Sequence, residues 1–451
     1  MLRSNFEVFP ENYLETNRRL LLWVGLNRPA DAHVIIDALF IIRAFLIIGV
    51  YAVLSIGCYA HMVHVTKFDL LSSSVNIMQI IISIMAVLHV VYHGTRNAAV
   101  HKLIAKSRKV CRFFTNTGHL TMEKQIRWNR ILSCLWLTVI AFNTFAFFVL
   151  AIVAGQDAIP VWAPIDLKQP LYSLINNVLQ LSAQVMVGSL GGCFSGFSMS
   201  VLSLLTYQFE MLCTSLEHVA PLAVLKTRKR IQNEGRRPLN DAKNSKSEDL
   251  KVSGGCECCT EEFKQYFQSF EKRRFEKSLT STEQLIYQHE VYDALRDCLI
   301  HHQDLLDFHA DIENYFGPVI FLKFAFCSVM LCFIVFSSSK FVSSENFSLT
   351  DATFISLVAY YIAAGGEVCL TCFVADRLMR KSEIVTEVAY RVLPWHGGSV
   401  VKKFVSSWQI FCLRASTPPS LRIILYTVSL ELMTLLFRAS FSFYTVLQKL
   451  Q

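Results

Sequence analysis

Residues 421–450 read LRIILYTVSLELMTLLFRASFSFYTVLQKL, about one membrane span of mostly apolar residues. A bilayer core of about 30 Å is crossed by roughly 20 helical residues, so the stretch predicts a transmembrane helix. Glu431 and Arg438 lie inside it, seven residues apart and therefore on nearly the same helical face. Polar side chains also interrupt the apolar pattern, namely Thr434, Ser440, Ser442, Tyr444, Thr445 and Gln448.

This polar stripe has two interpretations. Polar groups on a lipid-facing helix are penalised, so the stripe suits a helix that lines a water-filled path. Alternatively, the hydroxyl groups bond to their own backbone and the helix is an ordinary member of a bundle. The stretch alone leaves both interpretations open.

The composition of the whole chain favours a multi-pass membrane protein. Of its 451 residues, 53% are hydrophobic and 17% are charged, which is too apolar for an ordinary soluble domain. Residues 1–33 carry Glu7, Glu11 and Arg18 without an early apolar core, so we expect a cytoplasmic segment and not a secretory signal. Seven spans are predicted, at 34–57, 75–92, 131–154, 174–205, 317–337, 351–375 and 421–448.

Three features inside these spans carry separate predictions. The fourth span is rich in small residues such as Gly191, Ser195 and Ser200, a density that predicts a close packing face between helices. Lys323 lies near one end of the fifth span, from where its side chain can extend to the membrane surface. Glu367 lies deep in the sixth span and needs a partner or water.

Positive charge predicts the orientation. The segments 1–33, 93–130, 206–316 and 376–420 hold 35 of the 43 Lys and Arg residues, and the alternate connections with the tail hold 4. Because cytoplasmic loops are enriched in Lys and Arg, we predict a cytoplasmic N-terminus and an extracellular C-terminus. This distribution follows membrane sides, so the net charge of +8 does not indicate nucleic-acid binding. The single sequon, Asn346-Phe347-Ser348, falls in a predicted outer loop and is a candidate glycosylation site.

The predicted fold is all-α, a bundle of seven transmembrane helices with a cytoplasmic helical anchor. Residues 283–316 have helical apolar spacing and are expected to continue into the fifth span as one rod. Residues 377–415 repeat this pattern, whereas 227–280 are polar and predict a mobile insertion that is dispensable for folding. The predicted segments are 1–33, 34–212 with four spans, 213–316 with the insertion, 317–375 with two spans, 376–420 and the last span at 421–451.

No catalytic, cofactor or metal site is predicted. The spacing of Cys256, Cys258 and Cys259 without a nearby histidine is poor for zinc. The outer halves of spans two, three, four and six instead offer aromatic and aliphatic side chains with a few hydrogen-bonding groups, as a pocket for a small apolar ligand requires. The alternative is that these side chains only fill the bundle core or mark the membrane interface. The candidate ligand-binding residues are Met78, Ile81, Phe142, Phe145, Phe148, Tyr172, Asn176, Gln180, Phe354, Val358, Tyr360 and Tyr361.

Four ordered motifs resemble the insect odorant receptor family. They are Cys298-Leu-Ile-His-His-Gln-Asp-Leu-Leu-Asp-Phe before span five, Lys381-Ser382-Glu383 with Tyr390 and Trp395 after span six, Ser416-Thr-Pro-Pro-Ser, and Ser440-Phe-Ser-Phe-Tyr-Thr-Val-Leu. With the seven spans, the resemblance covers nearly the whole chain.

The resemblance implies an odorant-tuning subunit of a tetrameric, ligand-gated, non-selective cation channel. It implies a pore lined by the outer part of span seven and a cytoplasmic anchor built from extended helices and a split span seven. The family's narrow gate would fall on Val446 and Leu450, with Ser442 and Thr445 nearby. The expected partners are the shared co-receptor subunit, a small volatile odorant, membrane lipid and permeating cations. The expected location is the plasma membrane of olfactory sensory neurons.

Other classes stay open. The shared co-receptor subunit itself, which also has an enlarged loop near the insertion, is the nearest alternative, followed by a gustatory-receptor relative. A G-protein-coupled receptor would have the opposite orientation. The sequence also has no Asp-Arg-Tyr after span three and no Asn-Pro-x-x-Tyr in span seven. A secondary transporter usually contains repeated halves, which are not evident here.

Overall fold

The computed structural model describes residues 14–28, 34–67, 73–111, 159–162, 170–235, 280–342, 352–392, 399–424 and 426–449, with individual helical residues between 124 and 149. Within these ranges the helices are α1 Glu15–Val24, α2 Val34–His64, α3 Ser74–Thr95, α4 Asn97–Val110, α5 Pro170–Glu217, α6 Val219–Gly235, α7 Ser281–Val342, α8 Ala352–Val392, α9 Ser399–Ala415 and α10 Leu430–Lys449. Two short strands, β1 Arg422–Ile423 and β2 Tyr426–Thr427, lie between α9 and α10.

Helix α7 confirms the predicted rod. Its 62 residues form one helix, about 93 Å long at 1.5 Å per residue. That is about three times the thickness of a bilayer core, so a large part of α7 extends beyond the membrane. Helices α5 and α8, with 48 and 41 residues, are also longer than the spans predicted within them.

Four of the described helical stretches are long and apolar enough to cross a membrane: Val34–His64, Ser74–Thr95, Leu171–Glu217 and Ser281–Ser339. The apolar side chains of α2 are largely exposed, with Phe45 70% exposed, as expected for a helix that faces lipid. Most of the predicted third span, 131–154, lies outside the described residues.

The small residues of α5 form a packing face, as predicted. Ser195, Ser198 and Ser200 are buried, and α5 packs extensively along α8. The Asn17 amide of α1 donates to the carbonyl of Gly196 at 2.9 Å and to the hydroxyl of Ser200 at 2.7 Å. Helix α1 is therefore fixed to the centre of the bundle.

Helix α7 contains a proline at position 318. Proline has no N–H, so it leaves the carbonyl of Asn314 without its usual helical partner. The Arg96 guanidinium donates to this carbonyl at 3.2 Å, and the Tyr92 hydroxyl donates to the carbonyl of Tyr315 at 2.6 Å. The junction of α3 and α4 thus satisfies the acceptors at this point of α7.

The predicted last span is wrong in its first nine residues. In place of a helix from Leu421, strands β1 and β2 form an antiparallel hairpin, and the helix begins at Leu430. Short apolar runs rich in β-branched residues suit a strand as well as a helix, which explains the error. Ile424, at the turn, has a φ of 45° in the left-handed region, a conformation that a helix does not contain. The hairpin separates α9 from α10, which agrees with a split span seven.

Gly317 allows the hairpin to approach α7. A Cβ atom at this position would lie 3.0 Å from the carbonyl oxygen of Arg422. We predict that Gly317→Ala has a free energy of unfolding about 1–3 kcal/mol below that of Gly94→Ala, since both variants gain helix propensity but only the first presses a Cβ against backbone. Thermal unfolding in detergent measures the difference. Gly94→Ala is the matched control, because a Cβ there meets nothing within 4 Å, and equal behaviour of the two variants would contradict the prediction.

The predicted insertion at 227–280 begins too early. Helix α6 continues to Gly235 and packs on α7, where Ala223, Val224 and Tyr287 form a buried cluster. Thr227 is fully buried. Residues 227–235 therefore belong to α6, and residues 236–279 lie outside the described residues.

Candidate functional site

A small apolar cluster lies where α3 begins, α7 ends and α8 begins. Met78, Met330 and Ile334 form its buried centre. Partly buried side chains pack around them: Val75, Ile81, Ile82, Phe333, Tyr360 and Tyr361. We call these nine residues the apical cluster. Its composition of methionine, aliphatic and aromatic side chains matches the walls of sites for small apolar ligands.

Buried amides accompany the apical cluster on the adjoining face of α3. Gln79 accepts a hydrogen bond from Gln184 of α5, and the Asn76 amide lies 2.9 Å from Nδ1 of His61 on α2. Gln79 and Asn76 are 4% and 0% exposed. Among the described residues, Nε2 of Gln79 and Oδ1 of Asn76 have no hydrogen-bond partner. These atoms are one donor and one acceptor that a polar group of a ligand would satisfy.

The segment 159–162 crosses the same end of the bundle. The Gln180 amide donates to the carbonyl of Ile159 at 2.9 Å and accepts from its N–H at 3.1 Å. The N–H of Trp162 donates to the carbonyl of Gly57 at 3.1 Å, and its ring lies 4.5 Å from the ring of His64. The segment is therefore bound to both α2 and α5.

The structure brings together some of the predicted ligand-binding residues and separates others. Met78, Ile81, Tyr360 and Tyr361 meet in the apical cluster. Gln180 and Asn176 bond to each other at 3.2 Å. Four predicted residues are exposed on the outer surface instead: Phe142 at 72%, Phe145 at 60%, Tyr172 at 38% and Val358 at 38%. Phe148 and the side chain of Phe354 lie outside what the structure describes.

Sequence reasoning missed the contribution of α7 to this cluster. Met330 and Ile334 are four residues apart and so share one helical face. That spacing was a usable signal, but the predicted pocket drew only on spans two, three, four and six.

On the hypothesis that the apical cluster is the ligand site implied by the resemblance, we predict that Met78→Ala and Tyr361→Ala each weaken ligand sensitivity. Loss of packing of about 1.4 kcal/mol raises the half-maximal ligand concentration about tenfold. Dose–response curves of ligand-evoked current measure the shift, normalised to receptor at the cell surface. Phe142→Ala is the control, because its ring is 72% exposed. A shift in the control with none in the cluster variants would move the ligand site elsewhere.

A buried ion pair joins three helices below the apical cluster. The Lys323 ammonium of α7 contacts the Glu367 carboxylate of α8, and both bond to the Ser195 hydroxyl of α5. The ammonium also lies 5.7 Å from the centre of the Phe194 ring. Lys323 is only 7% exposed. The suggested extension of Lys323 to the membrane surface is not observed, because Glu367 compensates its charge inside the bundle.

Helix α10 is attached to the bundle along one face. The Ser440 hydroxyl donates to the carbonyl of Ser328 at 3.3 Å, and the Tyr444 hydroxyl lies 2.8 Å from that of Ser339. Both partners belong to α7. Phe437 packs near Gly365 of α8, where an added Cβ would lie 3.5 Å from its ring.

The opposite face of α10 is exposed and combines polar and charged side chains with Leu435, which is 51% exposed. It carries Glu431, Arg438, Ser442, Thr445 and Lys449, all exposed and spaced by seven, four, three and four residues. This is the spacing of one continuous helical stripe, which we call the α10 stripe. Val446 lies beside it and is 51% exposed. The other predicted gate residue, Leu450, and the predicted glycosylation site, Asn346, lie outside the described residues.

No metal site emerges from the described residues, where no group of three or more His, Cys, Asp or Glu side chains is placed to hold an ion. The cysteines at 256, 258 and 259 fall outside them.

Known proteins share this architecture. The fold is similar to that of the insect olfactory receptor OR5 from Machilis hrabei, which was solved in complex with eugenol. The structural alignment covers 97% of this chain and 98% of that receptor, with a TM-score of 0.68 and 10% sequence identity. A family model described as 7tm odorant receptor matches residues 69–441. The long apolar helices and this shared fold define a multi-pass helical membrane protein. The match over most of the chain shows that it belongs to the odorant receptor family.

Two relatives of known name support this family assignment. Odorant receptor 83a of Drosophila melanogaster is 22% identical over 290 residues, which cover 63% of this chain and 57% of that protein. The odorant receptor coreceptor of Anopheles gambiae is 24% identical over 161 residues, which cover 36% of this chain and 32% of that protein. The chain therefore spans less than two thirds of the length of these relatives.

Proposed function

We propose that the chain is the odorant-binding subunit of a ligand-gated, non-selective cation channel whose pore is lined by α10. The α10 stripe is the observation that carries this proposal, because it turns polar and charged groups away from the subunit's own bundle. Four subunits arranged around an axis would face these stripes towards one another and create a water-filled path. The proposed location is the plasma membrane of olfactory sensory neurons.

The proposed ligand is a small, mostly apolar volatile held in the apical cluster. Burial of its apolar surface contributes roughly 25 cal/mol per Å², which for so small a molecule gives affinities in the micromolar range or weaker. The free donor on Gln79 and the free acceptor on Asn76 would orient one polar group of the ligand. The eugenol complex of the Machilis hrabei receptor is consistent with such a ligand.

Helix α7 provides a physical connection between ligand and pore. Its Met330 and Ile334 belong to the apical cluster, while its Ser328 and Ser339 contact α10. A ligand that repacks the cluster therefore displaces the same turns of α7 to which α10 is attached. With the N-terminus in the cytoplasm and the C-terminus outside, these contacts lie in the outer half of the membrane, where the gate at Val446 and Leu450 is proposed.

The proposed tetramer assembles through a cytoplasmic anchor formed by α9, the hairpin and the adjoining ends of α7 and α8. Large apolar side chains are exposed there: Ile410 at 57%, Leu413 at 72%, Ile424 at 71% and Tyr426 at 52%. Apolar surface outside the bilayer of this extent marks a protein contact. The neighbouring subunit in the native channel is proposed to be the shared co-receptor.

We predict that Leu413→Asp abolishes co-assembly, because it places a charge in the centre of the proposed contact without a partner. Co-purification of tagged co-receptor measures assembly, and Leu413→Met is the control that keeps the apolar area. Full co-purification of Leu413→Asp with the co-receptor would place the contact on another surface.

Current recordings test the proposed function. The chain is expressed alone and together with a co-receptor in cells that lack both, and a panel of volatiles is applied. We expect odorant-evoked cation current only from the co-expressing cells. The second candidate, that the chain is itself a co-receptor, rests on its match to the co-receptors, and it predicts that the chain supports odorant responses of an unrelated tuning subunit. No current in any combination would overturn both.

A further inference from the structure

The α10 stripe carries an uneven set of charges for the wall of a cation path. Glu431 is its one acidic residue, and Arg438 and Lys449 are basic. Helix α10 contains 20 residues, about 30 Å of helix, which is close to the thickness of a bilayer core. The stripe therefore runs the length of a membrane crossing with a charge near each end and one between them.

Contacts on the opposite side of α10 fix the direction of these charges. Leu432 and Ser440 are 7% and 3% exposed and face the bundle. Tyr444 contacts Ser339 of α7 on that same side. Glu431 and Arg438, half a turn around the helix, consequently face away from the subunit's own core.

Within the described residues, neither charge is neutralised by a partner in the same subunit. In the described part of the chain, no ion pair involves Glu431 or Arg438. They are seven residues apart, about 10 Å along the axis, so they do not pair with each other within one helix. A charged side chain is costly to place in hydrocarbon, so each of these residues requires a water-filled path or a partner from a neighbouring subunit.

We propose that Arg438 sets the ion selectivity of this subunit by disfavouring divalent cations, and that Glu431, at one end of the same stripe, opposes it. This inference rests on the proposed function, since it needs α10 to line the pore. The physical basis is that Coulomb repulsion scales with ion charge. A fixed positive charge about 7 Å away in water lowers the occupancy of a monovalent cation about threefold. It lowers the occupancy of a divalent cation by a further factor of about three.

The test measures the permeability ratio of Ca²⁺ to Na⁺ from reversal potentials of the odorant-evoked current. Arg438→Gln is expected to raise the ratio about threefold, and Arg438→Lys, which keeps the charge, to leave it unchanged. Glu431→Gln is expected to lower the ratio. Opposite changes in the permeability ratio for Arg438→Gln and Glu431→Gln distinguish an electrostatic effect from a general distortion of the pore. Arg391→Gln is the matched control, because Arg391 lies at the end of α8 and pairs with Glu387.

A cysteine variant allows the charge at position 438 to be changed after the channel has assembled. Arg438→Cys channels are recorded before and after treatment with a positively charged and a neutral methanethiosulfonate. We expect the positive adduct to lower the Ca²⁺ to Na⁺ permeability ratio towards that of the receptor with Arg438. The neutral adduct is expected to leave this ratio high.

Two results would overturn the proposal while the proposed function stands. One is an odorant-evoked current whose permeability ratio is the same for Arg438→Gln, Arg438→Lys and Glu431→Gln. The other is that Arg438→Gln and Glu431→Gln both lose receptor from the cell surface, while the double variant Glu431→Arg/Arg438→Glu regains it. In this result the double variant also has the same Ca²⁺ to Na⁺ permeability ratio as the unaltered receptor. That pattern would show that the two residues pair between subunits. Absence of odorant-evoked current from the unaltered receptor would instead remove the proposed function itself.

Discussion

Lys323→Met is expected to remove most of the receptor from the cell surface, and the double variant Lys323→Met/Glu367→Met is expected to restore much of it. The single substitution leaves the Glu367 carboxylate, whose side chain is 16% exposed, inside the bundle without its cation. An uncompensated buried charge costs about 3–5 kcal/mol, a large fraction of the 5–15 kcal/mol that stabilises an ordinary domain. The double substitution removes both charges and leaves the Ser195 hydroxyl bonded to the carbonyl of Gly191.

Surface labelling and thermal unfolding in detergent measure this effect. Lys102→Met is the matched control, because Lys102 pairs with Asp311 while its side chain is 70% exposed, and pairs of that kind contribute about 1 kcal/mol or less. Normal surface levels of Lys323→Met, or a double variant no better than the single one, would show that the ion pair does not hold α5, α7 and α8 together.

The second large effect is expected at the proposed gate. We predict that Val446→Ser raises the ligand-free current several-fold. A ring of aliphatic side chains blocks ions because water leaves the constriction, and a hydroxyl keeps it hydrated. The effect grows with the number of variant subunits, since subunits of a mixed tetramer share the ring.

Val446→Ile is the control that keeps the gate apolar and is expected to leave the ligand-free current low. The alternative is that position 446 contacts lipid or a neighbouring helix. In that case Val446→Ser would reduce surface expression and leave the current per surface receptor unchanged.

Local sequence patterns were sufficient to predict the long elements of the fold. The helical apolar spacing before residue 317 predicted that α7 enters the membrane as one rod, and the small residues around Ser195 predicted a packing face. Both depend on residues close together in the sequence. The boundary of α10 was wrong because residues 421–428 are as apolar as a membrane helix, and only their pairing as a hairpin distinguishes the two.

Contacts between distant segments were beyond the sequence. Lys323 and Glu367 are 44 residues apart and Ser195 is 128 residues from Lys323, so no local periodicity joins them. The apical cluster was predicted in part, because an aromatic residue near the end of a span is easily noticed. Which face it occupies depends on neighbouring helices, and this is why Phe142 and Phe145 were placed with Met78 although both are exposed.

The central claim is that the exposed face of α10 lines an odorant-opened pore. Val446→Cys, co-expressed with a co-receptor, tests it most directly when a membrane-impermeant thiol reagent is applied from outside during an odorant-evoked current. We predict a rapid, irreversible change in conductance at position 446, faster in the presence of odorant than in its absence, and no change at Leu432→Cys, which faces the bundle with 7% exposure. An odorant-evoked current that is insensitive to the reagent at position 446 but modified at position 432 would contradict the account.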